Sequence, residues 1–207
     1  MIDIRLVNVG RLHTNCYVLT DTDTQRVAVV DAGGYNQALD MALDGRNVDY
    51  ILLTHGHYDH IAGIPKILEK HSPLIVIAKD EEEFLRNSNL NMAYRFTRAE
   101  FKPIKADILL SDNDELMLGN TKIKFIQTSG HTVGSGCYIF DNVIMSGDTL
   151  FRDSIGRTDF ETGSMSDMIK SLQKLANLVG NYTVYSGHGE QTTLDYERKH
   201  NLYMQQI

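Results

Sequence analysis

Cysteine is scarce in this 207-residue chain, basic residues never gather into a run, and apolar residues never run long. Cys16 and Cys137 are too few for a disulfide framework, and neither lies in a CxxC pair or beside a histidine cluster. Both fall within apolar alternating runs, which reads as two small buried side chains. No stretch approaches the roughly 18 uninterrupted apolar residues of a membrane helix, so no membrane partner is expected. The start, Met1 to Val7, reads as a strand carrying an acid, unlike a signal peptide with its basic end and long apolar stretch. A cytoplasmic location is the default expectation. With no Lys/Arg run and a formal net charge of -7, the chain lacks the basic face on which phosphate-backbone binding rests, so nucleic acid is not an expected partner. Linkers and low-complexity segments are missing as well, which predicts one domain over 1–207.

What the chain does have is Thr54-His55-Gly56-His57-Tyr58-Asp59-His60, with three imidazoles and one carboxylate in six consecutive positions. A lone histidine is an ordinary residue, but this is metal-ligand density. His55 and His57 are two apart, so in an extended segment both leave the same face, and Gly56 between them offers nothing to obstruct a shared ion. Asp59 and His60 follow where Ile61, Ile64, Ile67 and Leu68 begin a helical spacing. They are therefore aimed separately from the first pair, which suggests two adjacent metal positions.

In chain order, short β runs come first: Ile2 to Val9, Asn15 to Leu19, and Arg26 to Val30. Asp31 ends the third, either as an Asx-type turn residue or as an acceptor for a metal-bound imidazole. A modest helix over 36–44 and a strand Tyr50 to Leu53 lead into the histidine run. A helix over 63–71 follows, with Pro65 early, where first-turn amides need no partner. After the strand Leu74 to Ala78, Asp80 and Glu83 have capping-box spacing. The 86–102 segment is polar and aromatic without a period, which predicts a lid or pocket wall. The second half is β-rich up to Val143–Met145. Then Ser164 and Asp167 open a helix whose apolar stripe runs from Met165 through Met168, Ile169, Leu172 and Leu175 to Val179, with Gly180 ending it. Strands in two groups, each interleaved with helices, predict an α/β (α+β) sheet-on-sheet sandwich covered by helices on both outer faces.

Four strands end alike: Leu53-Thr54 before His55, Ser129-Gly130 before His131, Ser146-Gly147 before Asp148, and Ser186-Gly187 before His188. Glycine lets the backbone leave the sheet and pack close to an ion. If the strands run in compatible directions, all four islands emerge at one edge. Five of the eight histidines lie in these islands; His13, His71 and His200 do not.

The run His55-x-His57-x-Asp59-His60, followed by Ser-Gly-His131-Thr, Ser-Gly-Asp148-Thr and Ser-Gly-His188-Gly, resembles the full metal-binding signature of the metallo-β-lactamase-fold hydrolases. The words Gly147 to Phe151, Ser154 to Asp159 and Gly187 to Thr193 resemble the small glyoxalase II-like (hydroxyacylglutathione hydrolase-like) branch. The resemblance implies a four-layer αββα sandwich. It also implies His55, His57 and His131 on one metal, and Asp59, His60 and His188 on the other, with Asp148 bridging. The expected cofactors are two divalent ions, zinc first, with iron or manganese also compatible with imidazole and carboxylate ligands. The expected reaction is attack of a hydroxide shared by the ions on a small-molecule thioester, with departure of a thiolate and with Asp59 relaying a proton.

Arg157 matches a basic substrate-binding position of that branch; the other reading is a salt bridge. Full-length glyoxalase II enzymes carry a C-terminal helical domain that holds glutathione, whereas 19 residues follow His188 here. Glu190 stands where those enzymes have a tyrosine. Both departures argue against assigning glutathione as the thiol. Two competing readings are a mononuclear-iron persulfide dioxygenase of the same fold and a non-catalytic metal-binding protein. The first is disfavoured by Ser-Gly-His188-Gly, the second by the completeness of the ligand set.

Overall fold

Along each central strand, successive side chains enter two different apolar layers, and this alternation builds the architecture. The computed structural model describes residues 1–43, 45–97 and 100–206. A first six-stranded sheet joins β1 (Ile2–Val9), β2 (Thr14–Asp21), β3 (Val27–Val30), β4 (Val48–Leu52), β5 (Leu74–Ala78) and β6 (Ile108–Leu110) in that order. The pairing is antiparallel up to β3 and parallel beyond it. Between these strands lie α1 (Gln37–Leu43), α2 (Tyr58–Ile61), α3 (Ile64–Leu68) and α4 (Ala93–Phe96). The second sheet contains β7 (Glu115–Leu118), β8 (Thr121–Gln127), β9 (Gly136–Phe140), β10 (Val143–Gly147), β13 (Thr183–Ser186) and β14 (Thr192–Thr193), in the order β14-β13-β10-β9-β8-β7. A small hairpin of β11 (Leu150–Phe151) and β12 (Ser154–Ile155) precedes α5 (Met165–Ala176), and α6 (Leu194–His200) lies near the end.

Three apolar layers follow. Leu19, Ala28, Val30, Leu52 and Val76 of the first sheet meet Ile123, Phe125, Tyr138, Phe140 and Met145 of the second. On the outer face of the first sheet, Val18, Val29, Ile51 and Ile77 pack with Leu39, Leu43, Ile61, Ile64 and Ile67 from the helices. On the outer face of the second, Ile126, Cys137, Ile144 and Val184 pack with Met168, Leu172, Leu175 and Leu194. The expected αββα sandwich is the fold. Cys16 and Cys137 are buried and unpaired, each in a helix-facing layer. No helix among the described residues is long and apolar enough to cross a membrane.

The strand directions gather the islands. β13 is parallel to β10, while β9 is antiparallel to both β10 and β8, so β8, β10 and β13 all run the same way. His131, Asp148 and His188, each just beyond one of these strands, therefore emerge at one edge. The other sheet is fastened to that edge by cross-sheet bonds. Tyr138 Oη donates to Leu53 O at 3.0 Å, Tyr17 Oη donates to Ser186 O at 2.7 Å, and Gly136 N donates to Thr54 O at 2.9 Å.

Several local expectations change. The helix expected over 63–71 is shortened to α3, Ile64–Leu68, and is separated from the preceding α2 where Gly63 N turns to donate to Ala32 O at 2.7 Å. A Cβ at Gly63 would sit 2.2 Å from Gly34 O, so the break is a close approach of two backbones. The Asp80–Glu83 capping box does not form. Ala78 precedes a 3₁₀ turn over Lys79–Leu85, and no side chain caps it. Ser164 does cap α5, accepting from Asp167 N, but the helix stops at Ala176. Arg198 reaches over from α6 to donate to the carbonyls of Ala176, Leu178 and Gly180, satisfying acceptors that a longer helix would have used internally. Val179 is consequently outside the stripe and 92% exposed, and Met165 and Ile169 are exposed as well. Position 44 of the first predicted helix and positions 98 and 99 of the 86–102 segment lie outside the described residues.

Candidate metal centre

Each side chain of the cluster owes its position to a strand end. β4 delivers His55 and His57 in an extended segment, and α2 then turns Asp59 and His60 inward beside them. His131, Asp148 and His188 arrive from β8, β10 and β13. All seven residues come together. One donor atom each from His55, His57 and His131 lies within 4.8 Å of the others. The same holds for Asp59, His60 and His188, and for His55, His60 and Asp148. His57 Nδ1 and His131 Nε2 are 2.9 Å apart. Asp148 Oδ1 is 3.5 Å from His60 Nε2, and its Oδ2 is 3.6 Å from His131 Nε2 and 3.7 Å from His188 Nε2. Asp59 Oδ2 lies 3.3 Å from His188 Nε2.

The nitrogens turned away from the cluster are held by other groups, which fixes which nitrogen faces inward. His131 Nδ1 lies 2.7 Å from Arg157 O, so it is placed to donate there. His60 Nδ1 makes an ion-pair contact with Asp31 Oδ2 at 3.1 Å. His55 Nδ1 lies 3.1 Å from Thr54 Oγ1, which itself donates to Asp31 Oδ2 at 2.8 Å. Asp31 thus orients two imidazoles, one directly and one through Thr54, and it accepts Thr54 N at 2.9 Å as well. Of the two readings open for Asp31, the acceptor role matches this geometry. Asp31 itself sits in the left-handed region, at a φ of +53.

The electrostatics fit a cation. Burial, reinforced by the charges of His60 and His131, holds His55 well below the ordinary imidazole range, and burial with His131 pushes His57 down to about 2. Both rings therefore present lone pairs. Burial opposes a charge on His60, yet the carboxylates of Asp148, Asp31 and Asp59 outweigh it and lift His60 to about 10. Burial likewise opposes charge on Asp59, but His60 and His188 hold it below the usual carboxylate range. Inward-facing His55 Nε2, His60 Nε2 and Asp148 Oδ1 are buried with no hydrogen-bond partner. Buried polar atoms are ordinarily satisfied, and a divalent ion would satisfy all three. The residues present fit such a group.

The cluster forms the floor of a cavity of about 600 Å³. Its walls include Leu12, Met92, Phe96, Phe151, Ile155 and Phe160. Met92 and Phe96 realise the pocket-wall reading of the 86–102 segment. Phe96 stacks on Tyr58 with ring centroids 5.9 Å apart, and Tyr58 N donates to Asn91 O at 2.8 Å, so this wall is fixed to the helix that carries Asp59 and His60. Arg157 does reach the cavity, but its guanidinium is bidentate to Asp159 at 2.7 Å on both arms and lies 3.9 Å from the Phe160 centroid. The salt-bridge reading of Arg157 is what the geometry contains.

Sequence reasoning missed Glu81, Thr54, Arg95 and Phe160. Thr54 opens the histidine run but carried no role of its own there, and Phe160 follows directly on the word that ends at Asp159. Glu81 is fully buried, accepting Gly56 N and Gly134 N at 2.8 Å each, and nothing in an acidic run marks which acid is buried.

Residues 9–188 match the family model of the metallo-beta-lactamase superfamily. This chain belongs to that superfamily. It is 30% identical over 205 residues to the probable metallo-hydrolase YqgX of Bacillus subtilis (strain 168), covering 97% of this chain and 96% of that one. It is 28% identical to the hydroxyacylglutathione hydrolase GloC of Haemophilus influenzae, covering 98% of each. Among solved structures, BLEG-1, a B3 metallo-beta-lactamase, superposes with a TM-score of 0.88 at 33% identity, covering 98% of this chain and 99% of that chain. Membership in a superfamily of metallo-hydrolases makes the His/Asp cluster a site able to hold divalent metal.

Proposed function

We propose that this protein is a thioesterase of glyoxalase II type, hydrolysing a small hydroxyacyl-type thioester at a centre of two divalent ions, zinc first. The observation that carries the proposal is the span of Asp148, whose two oxygens approach His60 on one side and His131 on the other at 3.5 and 3.6 Å. One carboxylate thereby joins a three-histidine group to an Asp-His-His group. A divalent ion held by such donors supplies Lewis acidity, lowering the pKa of water and polarising an acyl oxygen. The chain's own residues do the rest. Neutral His55 and His57 offer lone pairs, Asp31 and Thr54 keep the rings aimed, and the Asp59 carboxylate stays ionised at the cavity floor. Around the floor the lining is apolar apart from two arginines and Ser154. That lining suits a leaving group able to depart as an anion at neutral pH, as a thiolate does. The likeness to GloC supports the same bond type.

The test is elemental analysis of purified protein, joined to a hydrolysis screen of thioesters built on different thiols, with a β-lactam arm because of the likeness to BLEG-1. We expect bound divalent metal, thioester hydrolysis lost on chelation and restored by metal, and loss of activity in Asp148→Ala by two or more orders of magnitude. Thioester hydrolysis that survives chelation would overturn the proposal, as would a β-lactam substrate hydrolysed with every thioester left intact, or oxygen uptake on a persulfide in place of hydrolysis.

A further inference from the structure

Two guanidinium groups stand over the same ring at the cavity wall, and they are not equivalent. Arg157 lies 3.9 Å from the Phe160 centroid, and its Nε and one terminal nitrogen are held by the Asp159 carboxylate. Arg95, on α4, lies 5.8 Å from the same centroid, and its Nε donates to Tyr94 Oη at 2.9 Å. Among the described residues no carboxylate pairs with Arg95, which lines the cavity. Phe160 in turn touches the floor, 5.5 Å from the His57 ring and 6.2 Å from the His131 ring. Phe160 is thus the spacer between the hydrolytic floor and one uncompensated cation. The distances from its centroid put Arg95 at most about 11 Å from the His57 ring, the length of roughly three extended residues. The wall between them is apolar.

We infer that Arg95, and not Arg157, is the anion anchor of this site, and that the substrate is a thioester carrying an oxyanionic group, a carboxylate or a phosphate, within reach of the reacting carbonyl. The inference rests on the thioesterase reading above. The guanidinium offers two parallel N–H donors, the geometry that carboxylate and phosphate oxygens match. Its Nε bond to Tyr94 Oη fixes one edge of the guanidinium, and Phe160 gives it a face to rest on. Arg157 serves a different purpose. Its backbone carbonyl faces His131 Nδ1 and its side chain is locked to Asp159, so it holds the wall in place.

The experiment compares four thioesters of matched length whose distal group is a carboxylate, a phosphate, a neutral amide or a quaternary ammonium. Each is tested on the metal-loaded wild type and on Arg95→Gln, Arg95→Lys and Arg95→Glu. In the wild type, KM is expected to be about tenfold lower for at least one of the two anionic substrates than for the amide, with the advantage shrinking as salt rises. Arg95→Gln should erase that advantage, raising KM for the anionic substrate to the level of the amide. Arg95→Lys should keep part of it, and Arg95→Glu should reverse the order in favour of the quaternary ammonium. The relative KM of the carboxylate and phosphate arms tells which oxyanion is recognised. Equal KM for charged and neutral arms in the wild type, or an unchanged preference in Arg95→Glu, would overturn the inference while hydrolysis of the amide thioester still upheld the thioesterase reading. If none of the four is hydrolysed, the thioesterase reading itself fails, and the inference with it.

Discussion

Glu81 Oε2 accepts the backbone N–H of Gly56 at 2.8 Å, in the residue between His55 and His57. Its other oxygen accepts Gly134 N at the same distance, in the loop that follows His131. One buried carboxylate therefore ties together the loops that supply the three-histidine group. Space around it is tight, since a Cβ at Gly56 would lie 2.3 Å from Phe84 Cβ, and one at Gly134 would lie 2.8 Å from Glu81 Cγ. Glu81→Gln keeps the shape but turns an amide N–H toward one of the two backbone donors, leaving that donor unsatisfied. A loss of about 1–3 kcal/mol is expected, read as a lower Tm in metal-free protein. The pH dependence has a definite sign. Burial raises the Glu81 carboxyl to about 7, against the hydrogen bonds with Thr132, Gly134 and Gly56. A raised acid binds its proton more tightly folded than unfolded, so its contribution is full below about 4.5, the ordinary glutamate value, and is lost as pH rises through about 7. The gap in Tm between wild type and Glu81→Gln should narrow across that window; a constant gap would count against the raised carboxyl.

Asp31 acts on two rings at once, so its removal should be felt as metal affinity before it is felt as fold. Asp31→Ala takes away the acceptor 3.1 Å from His60 Nδ1 and the one that Thr54 Oγ1 uses. His60 and His55 then lose the partners that keep Nε2 turned inward. Groups in this relation to a metal ligand are commonly worth about 10–100-fold in affinity. Competition against a graded series of chelators should register a loss in that range, and Thr54→Val, which keeps Asp31 on His60, should give a smaller one. Wild-type affinity in Asp31→Ala would show that the rings are held by packing alone.

The cluster was legible in the sequence because its chemistry is concentrated in short words. Three histidines and an acid in six residues, and three later Ser-Gly steps before a histidine or aspartate, need no packing information to be noticed. Strand alternation made the layers legible as well, since Val18 and Leu19, or Ile51 and Leu52, enter opposite cores. What stayed hidden was set by tertiary contact. Nothing local distinguishes Glu81 from its acidic neighbours, and only the two loops converging on it bury it. The helix stripe from Met165 to Val179 fits the right period, but the reach of Arg198 into the carbonyls near Ala176 decides where the helix stops. Arg157 stood out because it sits in a recognised word. Arg95 did not, because its segment has no period and its partner ring, Phe160, lies 65 positions away.

Gly187 offers the sharpest separation of site from scaffold. A Cβ there would lie 2.3 Å from Asp148 Oδ1 and 2.7 Å from His60 Cε1, inside contact distance of two members of the cluster. The backbone has no room to retreat, because Gly187 N donates to Gly147 O and Gly187 O accepts Asn15 N, both at 2.8 Å. The methyl of Gly187→Ala must therefore displace Asp148 or His60. Metal affinity is expected to fall by at least about tenfold, on the scale of losing a ligand's orientation, while the three apolar layers stay formed. Gly180→Ala is the matched comparison. At φ +95 with nothing within 4 Å, an added methyl there meets only backbone strain of about 1–3 kcal/mol, so Tm should drop with metal affinity unchanged. Chelator competition and thermal unfolding on the two variants should thus give opposite patterns. If Gly187→Ala bound metal like the wild type, the crowding of Asp148 and His60 would have to be relieved by a movement that the paired backbone bonds of Gly187 oppose.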